Sequence, residues 1–359
     1  MTEFCYIHIP FCKQKCNYCA FVSYPCLDKI TGYVFSLLKE ISEKYNNEEL
    51  KTLYIGGGTP SLLPTNLLSK IIKKFKFANN VEITIELNPD DVTEELINTY
   101  KELGINRISM GIQTLDDNIL KIAGRRHNAQ CALNAISTIT SIIPNLSIDL
   151  IYGLPNQTKE DFLSDLKTLI NQPITHISLY GLKIEEGTPF DKNMPANLPT
   201  DDDQADMYTE ACNILNKSNF TQYEISNFAK DNNHSRHNLN YWDNNSYYGF
   251  GVSAHGYVDG FRYYNTSSLE EYLANSCISE YAHLVTEKEQ LEEEIFLGLR
   301  KTEGININNI NKKFNIDFEA KYKPIIEKYK NKYLLLNDNK LRFTTEGFLL
   351  SNVILSEFI

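Results

Sequence analysis

No apolar run in the sequence reaches the roughly 18 residues that a membrane-spanning helix needs, so a helical integral membrane protein is excluded. Positive charge is also scarce. Lys and Arg number 35 against 46 Asp and Glu, a net charge of −11 in 359 residues. General nucleic-acid binders carry the opposite balance, so no nucleic-acid partner is expected. The opening residues Met1-Thr2-Glu3-Phe4-Cys5 lack the basic stretch and apolar core of an export signal, which predicts a cytoplasmic protein. There is no repeat of fixed period, no long low-complexity tract, and a single tryptophan. Hydrophobic residues at 42% and charged residues at 23% exclude disordered and collagen-like classes. The length suits one large domain plus a small one. Disulfides are rare in the cytoplasm, so the eight cysteines need another explanation, or none.

Five of the eight lie in the first 26 residues: Cys5, Cys12, Cys16, Cys19 and Cys26. Cys131, Cys212 and Cys277 are scattered singly and read, with Cys5, as small buried hydrophobes. Cys12, Cys16 and Cys19 have the spacing C-x3-C-x2-C, on a loop after the strand-like Phe4 to Ile9 that Pro10 ends. Three thiolates are one too few for a closed structural zinc site. They suit a cubane iron–sulfur cluster with one iron left open for a small chelating molecule. A zinc site completed by Cys26 or a histidine, or plain reduced thiols, is the alternative.

After the loop the chain alternates between strand and helix periodicity. Strands are predicted at Lys51 to Ile55, Val81 to Leu87, Arg107 to Gly111, Leu146 to Tyr152 and His176 to Tyr180. Helices are predicted at Ile30 to Tyr45, Leu67 to Phe75, Glu94 to Leu103, Ala129 to Ile142 and Lys159 to Leu169. About six βα repeats imply an α/β fold with a parallel sheet, a barrel or part of one. From about Pro195 the pattern changes. Asp206 to Asn216 is helical, and Ser218 to Ser246 is polar, aromatic and Asn-rich. Helical stretches at Glu289 to Leu299 and Ile307 to Phe314 precede a hairpin, Leu334 to Asn337 with Lys340 to Phe343, as in a winged-helix-like module.

Polar residues recur where the strands end: Gly56-Gly57-Gly58-Thr59-Pro60, then Glu86, Gln113 and Asp149. Side chains at successive strand ends converge on one mouth of a barrel. The glycine turn is neither a P-loop nor a dinucleotide fingerprint. Together with Arg125, these residues read as a pocket for a polar, charged ligand with hydroxyls.

The chain resembles the radical SAM superfamily, and within it the oxygen-independent coproporphyrinogen III oxidase-like family. The resemblance is carried by Tyr6-Ile7-His8-Ile9-Pro10-Phe11-Cys12, the cysteine loop, Gly-Gly-Gly-Thr-Pro, and Asp149-Leu150-Ile151-Tyr152-Gly153-Leu154-Pro155, in that order. It implies a radical SAM partial (β/α)6 TIM-type barrel with a small C-terminal winged-helix-like α+β module. The implied division is 1–195 for the barrel, 196–285 for an extension and 286–359 for the module. The resemblance further implies that Cys12, Cys16 and Cys19 hold a [4Fe–4S] cluster. S-adenosylmethionine (SAM) would meet Tyr6, Gly57, Gly58, Thr59, Glu86, Gln113, Arg125 and Asp149.

Two functions occur in this branch. The porphyrinogen oxidoreductase carries an N-terminal arm and a further cysteine where this chain has Phe21, and only 11 residues precede Cys12. Both departures count against that alternative, radical oxidation of coproporphyrinogen III or a related porphyrinogen. The haem chaperones carry H-N-x-x-Y-W, present here as His237-Asn238-Leu239-Asn240-Tyr241-Trp242. The implied function is a protein that binds haem, cluster and SAM and passes haem to an acceptor protein of unknown identity, with transient contact to membrane respiratory proteins allowed for. The resemblance implies a haem-transfer protein more than an enzyme. His237, Tyr241 and Trp242 are the candidate haem residues: an imidazole ligates iron, and aromatic rings pack a porphyrin face. His255 is a second candidate, and His8 reads as a packing or hydrogen-bonding residue.

Overall fold

Six segments with apolar runs form the centre of the molecule: β1 (Phe4–Ile9), β2 (Glu49–Gly57), β3 (Lys76–Leu87), β4 (Arg107–Gln113), β5 (Leu146–Tyr152) and β6 (His176–Gly181). The computed structural model describes residues 1–277 and 279–359. From β1 to β6 the strands lie side by side in chain order, all parallel. The crossovers are helices: α1 (Ile30–Lys44), α2 (Thr65–Ile72), α3 (Glu94–Glu102), the pair α4 (Asp117–Ile122) and α5 (Ala129–Thr140), and α6 (Lys159–Ile170). Parallel strands require such crossovers, and the helices bury the sheet. Ile7, Ile55, Ile85, Ile108, Ile148 and Ile177 are fully buried. Each such side chain contributes about 1.5–3 kcal/mol. The predicted stop of α3 is present: Gly104 has φ +86° and its N–H donates to the carbonyl of Lys101. The expected parallel βα arrangement of six strands with helical crossovers is present.

The segment after β6 does not build a separate layer. It contains α7 (Pro189–Lys192), α8 (Asp201–Lys217), β7 (Thr221–Gln222), β8 (Asn227–Ala229), α9 (Arg236–Trp242) and β9 (Tyr248–Phe250). β8 joins β6 antiparallel, and β9 joins β1 parallel, giving a nine-stranded sheet in the order β7-β8-β6-β5-β4-β3-β2-β1-β9. Next come β10 (His255–Val258), β11 (Phe261–Asn265), α10 (Leu269–Ala274) and β12 (Ser279–Leu284). The three strands form an antiparallel sheet. The Asn-rich stretch thus holds a helix the periodicity does not reveal, α9, capped by Ser235 at the Asn238 N–H.

The C-terminal part runs α11 (Glu287–Gly298), β13 (Ile305–Asn306), α12 (Ile307–Phe314), α13 (Phe318–Tyr329), β14 (Leu334–Asn337) and β15 (Lys340–Phe343), then two short helices. With strand order β13-β15-β14, this is the winged-helix arrangement. The hairpin turns at Asp338 and Asn339, both left-handed at φ 51° and 60°, as a two-residue type I′ turn needs. Buried residues from the sheet, the extension and this module form one continuous core. Among the described residues no helix is long and apolar enough to cross a membrane.

Candidate functional site

The cysteine loop is pinned at its base and along its length. Tyr24 N–H donates to Pro10 O at 2.8 Å and Cys12 N–H to Tyr24 O at 3.1 Å. Asn17 docks the loop on the turn after α4, through its N–H to Ala123 O at 3.0 Å and Nδ2 to Ile122 O at 2.8 Å. Cys12, Cys16 and Cys19 are half-buried and line one cavity of about 550 Å³ at the carboxyl ends of the strands. Cys26 is not among its lining residues. Among the described residues no three Cys, His, Asp or Glu side chains are placed to share one metal ion.

The strand-end residues face these thiols. Gly57 has φ +116°, and a Cβ there would sit 2.7 Å from the His8 ring. A Cβ on Gly58 would lie 2.6 Å from Phe11 O and 3.0 Å from Cys12 Sγ, so only glycine lets this turn approach the loop. Thr59 Oγ1 donates to Cys12 Sγ at 3.5 Å. Glu86 accepts from the Tyr54 hydroxyl at 2.8 Å and the Gly57 N–H at 3.0 Å. Burial nevertheless raises its carboxyl to about 7, against the pull of those two donors. Asp149, between Ser109 and Ser178, is also raised by burial. Arg125 is heavily used: Nη1 reaches Cys16 Sγ at 3.5 Å, and Nη2 donates to Asn88 Oδ1 at 2.7 Å and Gly111 O. Its charge stands beside a thiol more than it waits for a free carboxylate.

Seven of the eight residues that the resemblance assigns to SAM line this cavity: Gly57, Gly58, Thr59, Glu86, Gln113, Arg125 and Asp149. Tyr6 lines a neighbouring cavity instead. Its hydroxyl is bonded to His8 Nδ1 at 2.9 Å and its ring stacks on Tyr54, and it is Tyr54 that lines the smaller cavity. Sequence reasoning also missed Arg107. It begins β4, is 2% exposed, and reaches the cavity with Nε and Nη1 unpartnered. Gln113 Oε1 and Arg125 Nε are buried and unpartnered as well. Buried polar atoms are nearly always paired, so these are places for a ligand's atoms. Two carboxylates, two guanidiniums and three thiols fit a ligand carrying amino, carboxylate and hydroxyl groups beside an iron–sulfur cluster.

The neighbouring cavity is larger, about 900 Å³, and lies between the cysteine loop, α9, the β10-β11-β12 sheet and α11. Ala20 and Phe21 line both cavities, and Phe21 is 67% exposed. Tyr241 and Trp242 are on the wall of the larger one. His237 is not. It is 1% exposed, with Nδ1 2.6 Å from Thr52 Oγ1 and Nε2 2.8 Å from the Tyr241 hydroxyl. Its ring also stacks on Tyr54, 5.1 Å between centroids. Sequence alone suggested an open iron ligand here; the ring instead has both nitrogens committed, and burial lowers its pKa to about 3. Ligation would require breaking one of those bonds.

With this geometry in hand, the likenesses are informative. Residues 6–169 match the radical SAM superfamily and residues 285–350 the HemN C-terminal domain. The chain is 36% identical to the heme chaperone HemW of Lactococcus lactis subsp. lactis over 99% of its own length and 96% of that protein's. It is 35% identical to the Bacillus subtilis heme chaperone HemW, covering 99% and 98%, and 38% identical to that of Escherichia coli, covering 70% and 69%. Among solved structures, the coproporphyrinogen III oxidase HemN of E. coli, a radical SAM enzyme, superposes with a TM-score of 0.87 at 21% identity, over 99% of this chain and 90% of that one. At that identity the likeness is one of fold.

Proposed function

Since the chain belongs to the HemW family of radical SAM proteins, we propose that it is a haem chaperone, taking up haem and handing it to an acceptor protein. The observation that carries this reading is the pair of adjoining cavities. One is polar and rimmed by three thiols, the other is larger and aromatic, and Ala20 and Phe21 of the cysteine loop belong to both.

In this reading Cys12, Cys16 and Cys19 hold a [4Fe–4S] cluster, and Arg125 offsets thiolate charge at Cys16. When bound, a cluster with one open iron supplies a chelation point for SAM and a source of one electron. Glu86 takes the ammonium side of SAM, Asp149 the ribose hydroxyls, and Gln113, Thr59 and the Gly57-Gly58 backbone the remaining polar atoms. Arg107 joins them, because its free Nε and Nη1 suit a carboxylate. Tyr241 and Trp242, on the wall of the larger cavity, would hold haem, with His237 fixing Tyr241. The work is done in the cytoplasm, with residues 1–195 as the cofactor-binding barrel, 196–285 as the haem-facing extension and 286–359 as the module flanking it. The oxidoreductase alternative is disfavoured by Phe21, which stands where that enzyme has a further cysteine.

Titration of anaerobically reconstituted protein with haem, followed by mixing with a haem-free acceptor haemoprotein, tests this. Saturable binding and transfer are expected, with no conversion of coproporphyrinogen in the presence of SAM and reductant. Absence of haem binding, or turnover of the porphyrinogen, overturns the reading.

A further inference from the structure

Three histidines border the larger cavity, and they differ in what their rings have left to offer. His8 is committed at both nitrogens, Nδ1 to the Tyr6 hydroxyl and Nε2 to the carbonyl of Val22, each at 2.9 Å. His283 turns Nε2 onto the Glu289 carboxylate at 2.9 Å, and that carboxylate also accepts from Thr286 at the start of α11. His255 is exposed and, among the described residues, hydrogen-bonds through neither ring nitrogen.

The backbone around His255 is as constrained as its ring is free. Tyr247 and Tyr257 exchange two main-chain hydrogen bonds, at 2.7 and 2.9 Å, across the turn that carries it. Ser253 is left-handed at φ 58°, and a Cβ on Gly249 would fall 1.8 Å from the His255 carbonyl oxygen. Below the ring, Tyr264 packs at 5.3 Å and is itself stacked on Tyr281. A fixed main chain with an uncommitted imidazole beside an aromatic-walled cavity has the form of a metal-ligand position. The volume, about 900 Å³, is in the range of cofactor pockets.

We propose that His255 would ligate haem iron in this protein through a ring nitrogen, with Tyr241 and Trp242 lining the same cavity that would hold the porphyrin. The proposal rests on the haem-chaperone reading above. Partial desolvation at the cavity wall and the nearby Arg262 lower the pKa of His255, which favours the neutral ring with its lone pair available. The bond is a coordinate one, with no change in oxidation state.

The test is a titration of the full-length protein with ferric haem, read by Soret absorbance and by the histidine-ligated signature in electron paramagnetic resonance. Wild type, His255→Ala, His283→Gln and His237→Gln are compared. His255→Ala is expected to weaken haem at least about tenfold and to lose the signature, and added imidazole to restore it. His283→Gln is expected to keep the signature, and His237→Gln to keep it with weaker haem binding, because His237 holds Tyr241 in place. A wild-type signature in His255→Ala, or its loss in either other variant alone, overturns the assignment while leaving the chaperone reading intact. Absence of haem binding by wild type overturns that reading itself.

Discussion

His237 Nδ1 lies 2.6 Å from Thr52 Oγ1, which ties the H-N-x-x-Y-W helix to the interior of the second strand of the sheet. Thr52 is fully buried, so both partners depend on the bond. Replacing His237 with Ala strands Thr52 Oγ1 and the Tyr241 hydroxyl and leaves a hole. The expected cost is about 2–4 kcal/mol of stability. Urea unfolding of the variant checks this; an unchanged midpoint contradicts a supporting role for the ring.

The cysteines should divide sharply. Cys12→Ala, Cys16→Ala and Cys19→Ala are each expected to lose most iron and sulfide after reconstitution, with the broad visible absorbance that accompanies them. Cys26→Ala is expected to keep both in wild-type amounts. Bound zinc in place of iron and sulfide, or loss of the cluster in the Cys26 variant, would restore the zinc alternative.

Gly58→Ala should disturb the cysteine loop without touching a thiol. The new methyl meets Phe11 O and Cys12 Sγ, and main chain must shift to admit it. A destabilisation of about 1–3 kcal/mol is expected, with a weaker grip on the cluster. Iron retention against a chelator, measured beside wild type, is the check.

Arg107 offers the opposite pattern, function separated from stability. Its Nε and Nη1 are buried and unpaired, which offsets its attraction to Asp149 and Glu86, so Arg107→Met should move the thermal midpoint little. Affinity for SAM should fall at least about tenfold, since a charged hydrogen bond is worth about 1.5–3 kcal/mol. Calorimetric titration with SAM decides it; unchanged affinity removes Arg107 from the site.

Two buried carboxyls set a pH dependence. Burial raises Glu86 and Glu224 to about 7 each, Glu224 lying near Asn227, Trp242 and Arg300. In the unfolded chain both titrate near the ordinary 4.5. Between these values the folded state binds the extra protons, so their contribution is complete below pH 4.5 and is lost as pH rises through about 7. The thermal midpoint of the ligand-free protein should therefore fall between pH 5 and 8 more steeply than that of Glu224→Gln. Parallel curves for the two proteins contradict this.

Much of this was legible in the residues. β5 and the β14-β15 hairpin have the predicted bounds, because buried parallel strands read as apolar runs and Asp338-Asn339 is a turn with a mechanism. The thiols, glycines and strand-end carboxyls converge as expected. What was hidden depends on tertiary contact. α13 carries Pro324 inside it, which interrupts the helical pattern. The β10-β11-β12 sheet has half-exposed aromatic strands without clean alternation. Arg107 sits at the start of its strand, where no pattern of strand-end residues looks for it. The burial of His237 follows from Thr52, 185 residues away in the chain, a relation no local motif encodes.

The strand β9 has a consequence for biosynthesis. β1, which leads into the cysteine loop, keeps one edge open until residues 248–250 arrive to pair with Cys5, Tyr6 and Ile7. The loop is synthesised long before β9, so its strand is among the last of the sheet to be covered. An uncovered strand edge is a template for wrong pairing, and contacts this distant in sequence form slowly. A chain that ends before residue 248 carries all three thiols of the loop behind a strand with one unpaired edge, and is expected to aggregate more readily than the full chain.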